Sequence, residues 1–485
     1  MQHTFLWHDY ETFGISARSD RPAQFAAIRT DSDLNEIGAP INILCQPAPD
    51  YLPDPASCLI THITPQQCLE QGLPEHEFAR QIHAAFSQAG TIGVGYNTIR
   101  FDDEFTRFLF WRNLIEPYGR EWQNGCGRWD ILDVVRMCYA LRPEGINWPE
   151  ADGQVRFKLE LLSAANGLAH EQAHDALSDV RATIGLARLI KQQNPKLWDF
   201  ALALHKKDQV AQTLGLPVVQ AHAKPFIHIS GMFGVEQGCC SLMWPLAQHP
   251  QNKNEIIAWD LRHDPQELAG LNAAEIRQRM FTRQDDLPEG VKRLPIKTVH
   301  LNKSPMVVAA LNTLSEAQAA KWQIDKAQCL QYAQTARSLP DMSAIWAEVF
   351  RRPASSDDAV DVDADLYGGF LSNNDRRKLD QLRALSPEAL ATARTNFEDN
   401  RLETLFFRYR ARNFFDSLAP EEQAAWRAHC AARLQTGLDG VRTFEAFLAE
   451  IETLQEQAED TGAEAQLEIL EQLYAYADVL QEQLA

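Results

Sequence analysis

The chain has 485 residues, 45% of them apolar and 23% charged, a balance that excludes a disordered or fibrous polymer and leaves room for about three domains. Its 46 Lys and Arg against 66 Asp and Glu give a formal net charge of −20, so nucleic acid could be held only by a local basic groove and not by the surface as a whole. No apolar run approaches the ~20 residues of a membrane helix, the N-terminus lacks a basic segment followed by a long apolar one, and nine scattered cysteines form no C-x-x-C pair, which together lead us to expect reduced thiols in the cytoplasm.

Up to about residue 195, β-rich runs alternate with helical periodicity. Strands are expected at Thr4–Glu11, Gln24–Thr30, Ile41–Gln46 and Thr91–Tyr96, and helices at Glu75–Ser87, Asp102–Asn113, Trp129–Ala140, Leu159–Asn166 and Asp175–Gln192. This mixture predicts an α/β domain over 1–195. Short extended pieces with Gly and Pro, such as Phe226–Gly234 and Leu294–Asn302, then predict a smaller β-containing domain over 196–350. The acidic run RRPASSDDAVDVDAD reads as a linker, 351–365, and the remainder, 366–485, is helical in pattern.

Three carboxylate motifs stand out in the first domain. Asp9 and Glu11 lie two apart at the end of an apolar strand, hence on one face, where two like charges call for a cation between them. In Gly95-Tyr-Asn97-Thr-Ile-Arg-Phe101-Asp102-Asp103, a strand turns into a helix, and either aspartate could be no more than an N-cap or a first-turn acid favoured by the helix dipole. In His174-Asp175-Ala-Leu-Ser-Asp179, Asp175 is the expected N-cap, which places His174 at N′ and Asp179 at N4, positions whose side chains meet. A rival pair, His170 with Asp175, would spend its acid on capping. We therefore take His174 with Asp179 as the site pair.

Taken in order, Asp9-x-Glu11, Asn97 with Phe101-Asp102, and His174 with Asp179 resemble the DEDDh family of 3′ to 5′ exonucleases. The stretches HDYETFG, DRPAQFAAIRTD, GYNTIRFDDE, RWDILDVVRMCYALRPEGINWPE, ISGMFG and FRYRARN are similar to the bacterial exonuclease I family within it, from Asp9 to about Phe415. The spacing Asn97-x-x-x-Phe101-Asp102, one residue longer than in many DEDDh proteins, is shared by that family and favours Asp102 over Asp103.

The resemblance implies a ribonuclease H-like nuclease domain, an SH3-like domain and a helical C-terminal domain that close into a C-shaped channel. It implies digestion of single-stranded DNA from the 3′ end to 5′-mononucleotides, in DNA repair and recombination, by a monomer. Asp9, Glu11, Asp102 and Asp179 would hold two Mg²⁺, or Mn²⁺, since all-oxygen ligands suit hard cations. His174 would be the general base that takes a proton from the attacking water.

The positions carried over for the DNA strand are Glu11, Arg107, Tyr118, Trp122, Arg136, Phe157 and Lys158, the last near the terminal nucleotide. Aromatic faces stacking on unpaired bases, with cations on phosphates, suit a single strand. Trp129 and Trp148 are expected in the core. Arg142 and Lys326 are carried over as contacts for the acidic C-terminal tail of single-stranded DNA-binding protein. The segment Leu405–Phe414 interleaves bases and aromatics, as either an amphipathic docking helix or a DNA contact. A 3′ to 5′ exoribonuclease of the same catalytic group and a noncatalytic single-strand-binding scaffold are the alternative readings.

Overall fold

Nine residues, Thr4–Thr12, form strand β1, and Phe5, Leu6, Trp7 and Tyr10 bury both of its faces, as a strand in the middle of a layered α/β fold requires. The computed structural model describes residues 3–168, 175–351 and 360–484. They fall into two units, one built from the described parts of Met1–Gly127, His170–Arg181 and Asp358–Ala485, the other from Arg128–Ala169 and Ala182–Asp357.

In the first unit β1 pairs antiparallel with β2 (Pro22–Thr30) and parallel with β4 (Thr91–Gly95), and β2 pairs with β3 (Ile41–Leu44), giving the order β3-β2-β1-β4. Two proline-led helices, α1 (Pro55–Thr61) and α2 (Pro65–Gln71), capped by Asp54 and Thr64, were absent from the expected set. Helix α3 (Glu75–Phe86) buries Phe78, Ala79, Ile82 and Phe86. Helix α4 (Asp102–Arg112) is buried nearly all round because it serves two cores. Leu109 and Phe110 pack with Leu6, Tyr10, Phe25 and α3, while Phe108 and Trp111 pack with Leu402, Leu405 and Phe406 of the C-terminal helices. A helix held on opposite sides is a rigid mount for its first turn.

The C-terminal helices Asn373–Arg383, Arg401–Asn413, Pro420–Thr436, Phe444–Thr461 and Glu464–Leu484 belong to this same unit. The basic residues of Arg401–Asn413 are turned inward. Arg412 pairs with Asp50 at 2.7 Å and with Asp363, Arg408 with Asp361 at 2.6 Å and Asp363 at 3.0 Å, and Arg410 with Glu422 at 2.6 Å. Burial alone would raise the Asp363 carboxyl, but Arg412 and Arg408 hold it well below the usual carboxylate range. The described part of the acidic run expected to be a linker, 360–365, is thus an ionic seam, and the inward arginines favour the docking-helix reading of Leu405–Phe414.

The second unit opens with β5 (Gly127–Asp130), where a helix start at Trp129 was expected. Helix α5 (Ile131–Leu141) begins two residues later because the Asp130 carboxylate caps Leu132 N at 3.0 Å. A small hairpin, β6 (Glu150–Ala151) with β7 (Gln154–Val155), precedes α6 (Leu159–Ala165). Beyond α7 (Ala176–Gln193), strands β8 (Phe226–Ile229), β9 (Cys240–Gln248), β10 (Glu255–Asp260), β11 (Ile296–His300) and β12 (Met306–Val308) form an antiparallel sheet in the order β11-β10-β9-β8-β12. Its core holds Ile227, Leu242, Trp244, Ile257, Trp259 and Val307. Trp129 is buried as expected, whereas Trp148 is half-buried in an aromatic group with Tyr139 and Phe157.

Candidate active site

β1 and β4 run in parallel register from Thr4 opposite Thr91 to Trp7 opposite Val94, and there the pairing ends. Asp9 and Glu11 occupy the stretch of β1 beyond it, at the carboxyl end of the parallel pair, where α/β sheets open a crevice. A register shift between Glu11 and Thr12 ends the ladder with β2. After β4 the chain reverses through Asn97, in the left-handed region at φ 67°, and enters α4 at Asp102. Asp102 Oδ1 accepts a hydrogen bond from Tyr10 N at 3.0 Å, so a carboxylate takes the place of the missing ladder acceptor between Asp9 and Glu11. The Thr106 hydroxyl, 2.9 Å from Asp102 O and 3.1 Å from the Tyr10 hydroxyl, ties the same turn to β1.

Asp179 comes from the first turn of α7, where Asp175 Oδ2 accepts from Ser178 N at 3.0 Å as a cap. Asp9, Glu11 and Asp179 each present an oxygen within 4.8 Å of the others. The energetic consequence is severe. Burial, then Asp102, Glu11 and Asp179, push the Asp9 carboxyl far above its ordinary range, and burial, Asp179 and Asp102 push Glu11 up to about 8. Crowded, partly desolvated carboxylates of this kind fit a hard divalent cation, which takes oxygen donors and offsets their repulsion. Asp103, the rival of Asp102, is engaged elsewhere, in a buried ion pair with Arg120. His174 and His170 lie outside the described residues.

The positions expected along the strand divide between the units. In the first, Arg107 is buried, with Glu104 at 2.6 Å and Glu121 at 2.7 and 2.9 Å, and its guanidinium lies 5.2 Å from the centre of the Tyr118 ring. Trp122 is 65% exposed. Two aromatics outside the expected set join them: Phe370, 83% exposed and 5.9 Å from Tyr118, and Tyr367, whose hydroxyl lies 3.2 Å from Arg107. Their loop carries no periodic pattern, so only the structure brings it to Tyr118. In the second unit Arg136 pairs with Asp133 at 2.6 Å, Phe157 packs on Tyr139 at 5.3 Å, and Lys158 is exposed, 3.6 Å from Glu160. Arg142 donates to Thr313 O at 3.0 Å and to Leu141 O, and Lys326 to Leu314 O at 3.0 Å and to Glu316 at 2.7 Å.

A mixed sheet with an acid cluster where its parallel strands end defines a divalent-metal-dependent exonuclease domain, and the family described as Exonuclease matches residues 6–187. The Exonuclease I SH3-like domain matches residues 205–352 and the Exonuclease I C-terminal domain residues 360–480; the chain belongs to the exonuclease I family of exodeoxyribonucleases. It is 42% identical to exodeoxyribonuclease I of Haemophilus influenzae over 98% of both chains, and 44% identical to that of Escherichia coli K12 over 88% of this chain and 89% of that one. Among solved structures, E. coli exonuclease I in complex with a dA16 oligonucleotide superposes with a TM-score of 0.92 at 42% identity, covering 99% of this chain and 100% of that one. The ExoI/SSB-Ct complex superposes with a TM-score of 0.90 at 41% identity and the same coverage.

Proposed function

We propose that this protein removes 5′-mononucleotides from the 3′ end of single-stranded DNA, with Asp9, Glu11, Asp102 and Asp179 holding Mg²⁺ and His174 as general base. The carrying observation is the convergence of Asp9, Glu11 and Asp179 within 4.8 Å, with Asp102 hydrogen-bonded to the strand between the first two. Bound divalent cations supply positive charge against the phosphate oxygens on which negative charge builds during hydrolysis. The chain's own residues do the rest. The left-handed turn at Asn97 and the hydrogen bond from Tyr10 N keep the Asp102 carboxylate toward the cluster, and α7 delivers Asp179 on the same helix whose N-terminus follows His174. A neutral imidazole near pH 7 can accept the proton of the attacking water.

Trp122, Tyr118 and Phe370 offer aromatic faces to unpaired bases in the first unit, and Lys158 an exposed ammonium to a phosphate in the second. Arg107 acts as a strut under the aromatic faces, because its charge is already matched by Glu104 and Glu121. Among the described residues Arg142 is bonded to carbonyl oxygens and not to an acid, which leaves its charge for the acidic tail of single-stranded DNA-binding protein. A DNA substrate puts the enzyme in the cytoplasm.

The deciding experiment incubates the protein with 5′-labelled single-stranded DNA, matched RNA and duplex DNA, each with Mg²⁺ or EDTA. Mg²⁺-dependent shortening of single-stranded DNA from its 3′ end is expected. Preferential loss of RNA would move the reading to the 3′ exoribonucleases, and no cleavage at all would leave a binding scaffold.

A further inference from the structure

Three consecutive acids open α4, and each faces a different partner. Successive helical residues are turned by about 100°, so Asp102 points to Tyr10 N and the carboxylate cluster, Asp103 to Arg120, and Glu104 to Arg107 and the Tyr367 hydroxyl. The chain segment that answers them is a dipeptide. Arg120 takes Asp103 on one side of the helix, with both side chains 1% exposed or less, while Glu121 takes two hydrogen bonds from Arg107 on the other.

The Arg120 guanidinium lies 4.3 Å from the centre of the Phe86 ring in space kept open by Gly93, where a Cβ would come within 2.9 Å of that ring and 3.3 Å of Arg120 Nη1. Among the described residues, Arg120 Nε and Nη1 have no hydrogen-bond acceptor. A fully buried guanidinium with two nitrogens unpaired is a poor stabilising device, since a well-packed apolar pair of similar volume is often as stable or more so. Stability therefore does not explain it, whereas its place beside a metal-site acid does. Without that guanidinium, Asp103 would be a second buried negative charge one residue from Asp102, repelling it.

We infer that Arg120 is a positioning residue for the metal site: by pairing with Asp103 it fixes the first turn of α4 so that Asp102, and not its neighbour, faces the cation. The inference rests on the reading of Asp102 as a metal ligand. Partners that orient metal ligands typically change metal affinity or activity 10- to 100-fold when altered.

The test compares Arg120→Met/Asp103→Leu, Arg120→Lys and Asp102→Ala with the parent, measuring melting temperature in EDTA, Mn²⁺ binding to the DNA-free protein by calorimetry, and kcat and KM on single-stranded DNA. The double variant strands no charge. It should melt as the parent does, yet bind Mn²⁺ about 10- to 100-fold more weakly, with kcat reduced and KM unchanged. Parental Mn²⁺ affinity and kcat in that variant would overturn the inference. If it does not fold, Arg120→Lys decides, because an ammonium lacks the planar group that lies over the Phe86 ring and aims Nη2 at Asp103: weaker Mn²⁺ binding supports positioning and parental binding refutes it. Parental Mn²⁺ binding by Asp102→Ala would instead overturn the assignment of Asp102 itself.

Discussion

Glu11→Gln should stabilise the metal-free protein while abolishing its activity. The Glu11 carboxyl sits at about 8 against an ordinary 4.5 because burial and the charges of Asp179 and Asp102 oppose its ionisation. The folded state thus holds this proton more tightly than the unfolded chain does, and stability falls as pH rises from about 4.5 to about 8. Each pH unit in that window removes about 1.4 kcal/mol, which amounts to about 3 kcal/mol by pH 7. Glutamine keeps the shape and cannot ionise. In EDTA, urea unfolding followed by tryptophan fluorescence should show the variant more stable than the parent by about 3 kcal/mol at pH 7 and equal to it near pH 4.5. Adding Mg²⁺ should raise the parent more than the variant and close the gap. A stability difference that does not change with pH, or a variant less stable than the parent at pH 8, would refute the account of a site strained by its own charges.

Asp102→Ala or Asp179→Ala should lower cleavage below about one-thousandth of the parental rate, as expected when transition-state charge stabilisation is removed, while a fluorescence-anisotropy titration finds single-strand binding retained. Trp122→Ala and Phe370→Ala should each weaken that binding by about 1 to 3 kcal/mol, the range of a lost base stack, with unchanged melting temperature; unchanged affinity would return both to ordinary surface residues. Asp363→Asn removes the carboxylate that Arg408 and Arg412 share, leaving them Asp361 and Asp50, and should destabilise the first unit by about 1.5 to 3 kcal/mol in urea unfolding, the range of a lost charge-assisted hydrogen bond.

The elements that carry the site were legible because their patterns are local. Observed strands and helices from β1 to α7 start and stop within about two residues of the expected bounds wherever an element was expected. The exceptions have physical causes. α1 and α2 are seven residues long, too short for a helical period to show, and are set by proline and side-chain caps. β5 escaped notice because its four residues merge into the apolar run of α5. What a sequence withholds is which charges meet across distance. The acidic run before Asp365 has the composition of a linker, yet Asp361 and Asp363 are buried by arginines more than forty residues away. Likewise the spacing after Asn97 favours Asp102 over Asp103, but the physical reason appears only when Arg120 is seen to claim the second.

The same accounting of charges alters how the protein is expected to hold a polyanion. From Thr443 to Ala485 the chain carries no lysine, arginine or histidine, and Arg107, Arg112, Arg120, Arg408, Arg410 and Arg412 are buried against acids. A cation already neutralised by a buried partner releases no counterion when DNA arrives, whereas an exposed one on a phosphate does. Lys158, with its side chain 73% exposed, would be of the second kind if it meets a phosphate as proposed, and Arg107, at 7%, is of the first. Lys158→Met should therefore reduce the slope of log affinity against log salt by about 0.7, the value for one phosphate contact on a single strand, and leave the melting temperature unchanged. Arg107→Met should do the reverse, leaving the slope intact and lowering the melting temperature by removing the cation that Glu104 and Glu121 share. Measured on one oligonucleotide between low and physiological salt, a reduced slope in Arg107→Met would place that guanidinium on a phosphate and remove its role as a strut.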